Sequence, residues 1–177
     1  MGTIKVHDRI FETYLTEEVI QQRVKEIAGQ INHDFAGRRP LFIAILNGSF
    51  MFASDLFKQL SIEAELCFIK LASYKGMKSS GKVVTSIGLE EDLFGKEVII
   101  VEDIVDTGKT LYKFLPKLLH QQPRVLKIAA LLHKSEATEY PLTIDYVGFD
   151  IPNKFVVGYG LDYDGLGRNL KEIYQVV

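Results

Sequence analysis

Three apolar runs constrain the fold more than any other feature of this chain. Leu41-Phe42-Ile43-Ala44-Ile45-Leu46 contains no polar position, Val98-Ile99-Ile100-Val101 follows the same rule, and residues 125–132 repeat it with one interruption at Lys127. A strand with one face in water alternates polar and apolar residues, whereas a strand covered on both faces does not; such strands belong to parallel sheets packed between helices. The intervening sequence supplies the helices. Thr16 can cap a helix whose first turn carries Glu17 and Glu18, which suit the positive end of the helix dipole. Val19, Ile20, Val24, Ile27, Ile31 and Phe35 then recur with near-helical spacing, and Gly37-Arg38-Arg39-Pro40 ends the pattern. Residues 49–60 and 107–120 also read as helices, and 65–71 and 83–87 as further strands. This order predicts an α/β fold with a mainly parallel central sheet flanked by helices. Residues 146–177 mix aromatic residues, Gly and Asp less regularly and predict a small lobe over the cleft.

A length of 177 residues suits a single domain large enough to bury a core without disulfides. The formal net charge of −2 provides no global basic field to attract nucleic acid or anionic lipid. Residues 1–9 lack the apolar core and cleavage site of a secretory leader, and the apolar runs are too short to cross a bilayer, so the expectation is a cytoplasmic protein with no membrane partner. Cys67, the only cysteine, sits in an apolar stretch and reads as a buried structural thiol.

The chemistry concentrates after the second run. Glu102-Asp103-Ile104-Val105-Asp106-Thr107-Gly108-Lys109-Thr110 reads as an acidic loop, then an anion cradle opening a helix. Three like charges so close together call for compensating donors or a cation. The P-loop pattern requires a glycine five positions before Gly108, and Asp103 stands there. The dinucleotide fingerprint fails at Gly158-Tyr159-Gly160, where Tyr163 replaces the third glycine. A ligand carrying a diol and a phosphate fits better: adjacent carboxylates accept from hydroxyls while backbone amides at a helix start hold an anion. Ligands of parallel sheets bind at loops leaving the carboxyl ends of strands, where residues 47–49, 102–110 and Lys134 all fall.

This acidic segment resembles the phosphoribosyl-pyrophosphate signature of the purine phosphoribosyltransferases, in particular their hypoxanthine-guanine branch, and the resemblance extends over most of the chain. It implies the type I phosphoribosyltransferase fold in one domain of residues 1–177, with a hood drawn mainly from the N-terminal segment and about 146–177. It also implies phosphoribosyl pyrophosphate and a 6-oxopurine as substrates, Mg²⁺ as cofactor and a homodimer or homotetramer. Glu102 and Asp103 would hold the ribose hydroxyls, and Asp106 would lie beside purine N7 as the catalytic proton acceptor or donor. Asp106, Thr107, Gly108, Lys109 and Thr110 would wrap the 5-phosphate. Lys134, in Leu132-His133-Lys134, matches the lysine that donates to the exocyclic oxygen of the base; taken alone it reads as a solvated surface lysine. Within Lys154-Phe155-Val156-Val157-Gly158-Tyr159-Gly160-Leu161-Asp162-Tyr163, Phe155 would stack on the purine, Val156 would offer backbone groups to its edge, and Asp162 would complete the base segment. Without the resemblance Phe155 reads as core.

Asp162, with Glu102 and Asp103, would hold Mg²⁺, and Arg168 would lie near the pyrophosphate. Ser73-Tyr74 matches the start of the family's flexible lid. Leu46-Asn47-Gly48-Ser49 matches the pyrophosphate loop, where Asn47 and Gly48 would bind; several relatives carry Lys or Arg in place of Asn47, so a side-chain charge contact is lost here and backbone contacts remain. Two rival readings compete with hypoxanthine or guanine salvage. A regulator of this fold that binds nucleic acid would need a basic strip, for which only Arg38-Arg39 and the lysines of residues 75–82 offer modest clusters. A relative acting on adenine, orotate or uracil is opposed by Lys134 and the Phe155 segment.

Overall fold

The computed structural model describes residues 2–72 and 84–177. In chain order the elements are β1 Thr3–Val6, β2 Arg9–Leu15, α1 Glu17–Asp34, β3 Leu41–Leu46, α2 Phe50–Lys58, β4 Glu65–Ala72 and β5 Val84–Ile87. They continue with β6 Glu97–Val105, α3 Lys109–Leu119, β7 Val125–His133, a 3₁₀ turn Ser135–Ala137, β8 Tyr146–Asp150, β9 Val156–Val157 and β10 Ile173–Val176. Strands β5-β4-β3-β6-β7-β8 form one sheet. Its pairs are parallel except β4 with β5, which is antiparallel.

The apolar runs have no polar face because each face meets helices. From β3, Phe42 and Ala44 join Ile20, Val24, Ile27 and Ile31 of α1 and Phe52 and Leu56 of α2, while Leu41, Ile43 and Ile45 join Leu111, Phe114 and Leu118 of α3. Strand β6 divides its residues likewise, Ile99 and Val101 to the first cluster and Val98 and Ile100 to the second. Burying side chains of this size stabilises the fold by about 1.5–3 kcal/mol each. At the amino ends of the strands, the buried Glu97 carboxylate takes Arg38 at 3.0 Å and Arg124 at 2.6 Å, which satisfies a charge that would otherwise be costly there. Cys67 is half-buried rather than enclosed, and burial pushes its thiol up to about 11, away from reactivity.

A second, antiparallel sheet in the order β1-β2-β10-β9 joins the two chain ends around Phe11 and Val157. The N-terminal segment is thus a hairpin, turned through His7 at φ 52° and Asp8. The first residues of the segment expected to form a lobe belong to the large sheet instead. Tyr146–Asp150 is the edge strand of the large sheet, parallel to β7, and a Cβ at Gly148 would run into the Leu131 carbonyl, so glycine permits that pairing. Tyr146 is buried there, and its hydroxyl donates to Asp34 at 2.7 Å.

Candidate active site

Two of the acids expected in a loop, Glu102 and Asp103, stand on the sheet. Strand β6 continues through Val105, with Glu102 opposite Ala130, Ile104 opposite Leu132 and Val105 opposite His133 of β7, because Ile104 and Val105 keep the β pattern going past the carboxylates. The chain then leaves the sheet at Asp106, turns through Gly108 at φ 81° and enters α3 at Lys109. The result is a cleft of about 190 Å³ lined by Glu102 and by Asp106, Thr107, Gly108, Lys109 and Thr110. Two backbone donors from a segment distant in sequence steady this turn: Glu139 and Tyr140 N–H groups donate to the Thr107 carbonyl at 3.0 and 3.2 Å. Leu142 packs so closely that a Cβ on Gly108 would stand 2.8 Å from it. Gly108 is thus favoured for its left-handed backbone, while the Leu142 side chain would have to shift for a larger residue.

Asp103 faces the turn after β3. A Cβ at Gly48 would collide with the Asp103 carboxylate, and one at Gly160 (φ 98°) would collide with the Gly48 carbonyl. Two glycines thus let three chain segments stack. The Leu46-Asn47 peptide is cis, and the buried Ser49 hydroxyl donates to the Ile45 carbonyl at 2.6 Å across this turn. Arg168 closes the stack: its guanidinium donates to the Gly160 carbonyl at 2.7 Å and pairs with Asp162 at 2.6 Å. Asp162 also accepts from the Gly165 N–H at 2.7 Å.

Lys134 is not a solvated surface lysine. It is buried, and its ammonium lies 3.0 Å from Asp106 and 3.5 Å from the Asn153 side-chain oxygen. Asn153 was not foreseen, since nothing in the spacing of residues 134 and 153 indicates that they meet. Phe155, two residues on, is 41% exposed rather than core, with its ring against Phe11 and Tyr163. Val156 is buried in β9, the edge strand of the small sheet, where backbone groups on one side lie outside the ladder. Ser73 and Tyr74 lie outside the described residues.

Burial, reinforced by the neighbouring Asp103 carboxylate, pushes the Glu102 carboxyl well above the usual carboxylate range. Burial also raises Asp103, despite hydrogen bonds that favour its charged form. Two adjacent carboxylates that resist sharing negative charge suit a hard cation with oxygen ligands. Among the described residues no three His, Cys, Asp or Glu side chains converge as a metal cage, so such a cation would draw ligands from substrate and water as well.

The site therefore combines a glycine turn at a helix start, a carboxylate pair, an arginine-closed turn, a buried lysine paired with an acid, and an exposed aromatic ring two residues after Asn153. The phosphoribosyl transferase domain model matches residues 11–164. The chain belongs to the phosphoribosyltransferase family. Curated relatives place this phosphoribosyltransferase in the hypoxanthine-guanine branch. The hypoxanthine-guanine phosphoribosyltransferase of Aquifex aeolicus is 40% identical over 174 residues, 97% of this chain and 98% of that protein. The hypoxanthine phosphoribosyltransferase of Buchnera aphidicola is 42% identical, covering 92% of this chain and 94% of its own. A hypoxanthine-guanine phosphoribosyltransferase structure from Bacillus anthracis superposes with a TM-score of 0.88 at 41% identity, covering 94% of this chain and 98% of that one. The fold is the type I phosphoribosyltransferase fold, as expected, and the regulator reading finds no support among these relatives. None of the described helices is long and apolar enough to cross a membrane.

Proposed function

We propose that this phosphoribosyltransferase salvages purines, transferring the 5-phosphoribosyl group of phosphoribosyl pyrophosphate to N9 of hypoxanthine and of guanine, with IMP or GMP and pyrophosphate as products. The observation that carries this reading is the buried Lys134 held 3.0 Å from Asp106, with Phe155 exposed on the segment that follows Asn153. An ammonium and a carboxylate side by side match the O6 and N7 edge of a 6-oxopurine, one a donor to oxygen and the other a partner for the ring nitrogen.

The remaining roles follow from charge development. Amides and hydroxyls of Asp106, Thr107, Gly108, Lys109 and Thr110 would hold the 5-phosphate at the start of α3. Glu102 and Asp103 would accept from the ribose hydroxyls. As the C1 bond to pyrophosphate lengthens, the sugar gains oxocarbenium character and the leaving group gains negative charge, which Arg168 and the backbone at Asn47 and Gly48 would stabilise. Phe155 would stack on the base, Val156 would offer backbone groups to its edge, and Asp106 would take or return the N7 proton. The carboxylates of Glu102, Asp103 and Asp162 have the hard oxygen character Mg²⁺ requires, although Asp162 is already engaged by Arg168 and would act through water. Bound there, Mg²⁺ would offset charge on the pyrophosphate and on the carboxylate pair.

The chain is read as one domain whose hood comes from the N-terminal hairpin and the residues after Asp150, working in the cytoplasm as a homodimer or homotetramer. The test is direct. Purified protein is mixed with Mg²⁺, phosphoribosyl pyrophosphate and adenine, hypoxanthine, guanine or xanthine separately, and nucleotide formation is followed by absorbance. Nucleotide is expected from hypoxanthine and guanine; transfer confined to adenine, or none to any base, would overturn the reading.

A further inference from the structure

The β1–β2 turn lies at one end of the chain and the base segment near the other, yet the two meet through Tyr163. The Tyr163 hydroxyl donates to Asp8 at 2.8 Å, the Arg9 guanidinium stands 5.4 Å from the Tyr163 ring centre, and His7 meets the same ring edge-on at 5.5 Å. The His7 ring also approaches the Asp164 carbonyl at 3.4 Å. The opposite neighbours of Tyr163 are Phe155, with ring centres 5.6 Å apart at 75°, and the buried Phe11, 6.2 Å away. Phe11 also touches Phe155 at 6.3 Å, so the stacking ring rests on two others, and only one of them carries a polar handle.

We infer that Tyr163 and Asp8 are positioning residues for the purine: the N-terminal turn grips Tyr163, and Tyr163 sets the angle at which Phe155 meets the base. This inference rests on the reading of Phe155 as the stacking residue. Aromatic pairs have preferred edge-to-face geometries, so a ring held by its hydroxyl constrains the ring it abuts. Residue types fit that task. A phenylalanine at 163 would keep the ring and its contact with the Arg9 cation but lose the hydroxyl that fixes its edge to the Asp8 carboxylate.

The pyrophosphate side is secured separately, which makes the effect specific. Asp162 is held by Arg168 and the Gly165 N–H, and the Tyr163 backbone exchanges hydrogen bonds with Leu166 at 2.9 and 3.1 Å. Loss of the hydroxyl therefore frees the ring of residue 163 without releasing its neighbour Asp162.

The experiment measures steady-state kinetics of Tyr163→Phe, Asp8→Ala and the double variant, with thermal melts as a folding check. Each single variant is expected to raise KM for the base about 3- to 10-fold, the worth of one charge-assisted hydrogen bond relayed through a ring, with kcat and KM for phosphoribosyl pyrophosphate little changed. The double variant should be no worse than either single one, because both remove the same bond. A base KM that does not move, an equal rise in both KM values, or additive effects would overturn the inference while leaving the proposed function standing. Absence of transfer by the unsubstituted protein would overturn both.

Discussion

The Lys134 ammonium and the Asp106 carboxylate stand 3.0 Å apart, although 28 residues separate them in the chain. The two reach each other because β6 and β7 are parallel neighbours in register, Val105 opposite His133, so that residues leaving the two strands emerge side by side. Lys134 is buried while Asp106 is half exposed, so the lysine is the fixed partner and the acid the one open to a ligand.

Replacing Asp106 with Asn keeps the shape and removes the proton acceptor. Turnover should fall by about 10²- to 10⁴-fold, the range of general acid–base catalysis, and the melting temperature should fall as well, because the buried Lys134 ammonium loses its carboxylate partner. Unaltered kcat in a correctly folded variant would remove Asp106 from proton transfer.

Gly160→Ala should act on the pyrophosphate side. Its Cβ would strike the Gly48 carbonyl from a backbone at φ 98°, and Gly48 in turn lies against Asp103. Strain of this kind costs about 1–3 kcal/mol, so a lowered urea midpoint is expected. KM for phosphoribosyl pyrophosphate should rise more than KM for the base; a pure stability loss with both KM values intact would show that the stack is not part of the site.

Glu102→Gln should stabilise the free protein and cripple the enzyme. The glutamate is buried beside another carboxylate, and burial disfavours its charge. A neutral amide of the same shape relieves that cost, so thermal melts at neutral pH should shift upward while transfer falls. A downward shift would mean that the Glu102 charge is already compensated within the protein.

Asp55 ties the base segment to the helices. Tyr159 donates to it at 2.7 Å, Gln21 at 2.6 Å, and Lys58 pairs with it at 2.6 Å. Burial, the largest influence, pushes this carboxyl up, but the hydrogen bonds together outweigh it and hold the group below its ordinary value, while the Tyr159 phenol is pushed up by burial and by Asp55. Asp55→Ala should cost about 1–3 kcal/mol at neutral pH, because Tyr159 and Gln21 lose their acceptor. A depressed carboxyl contributes stability that is present above its unfolded value of about 4 and lost as pH falls through the folded one. Urea titrations of wild type and variant should therefore differ by a constant amount from pH 6 to 8 and converge in acid; a gap that widens in acid would contradict this account.

The sequence by itself determined the sheet and its helices, because covering both faces of a strand erases polar alternation and that loss is visible in residues 41–46 and 98–101. It also contained the turn that opens α3 whole, since Gly108 and its neighbours are adjacent in the chain. Distant pairings left no such mark. That Lys134 is buried on Asp106, that Phe155 leans on Tyr163 and so on Asp8, and that Gly160 fits over Gly48 depend on strand register and on the return of the chain end to the N-terminal hairpin. Local pattern reports whether a residue can be buried; only the tertiary structure decides which charged or aromatic group it meets there, because that partner comes from another segment whose approach is fixed by the packing of the whole sheet.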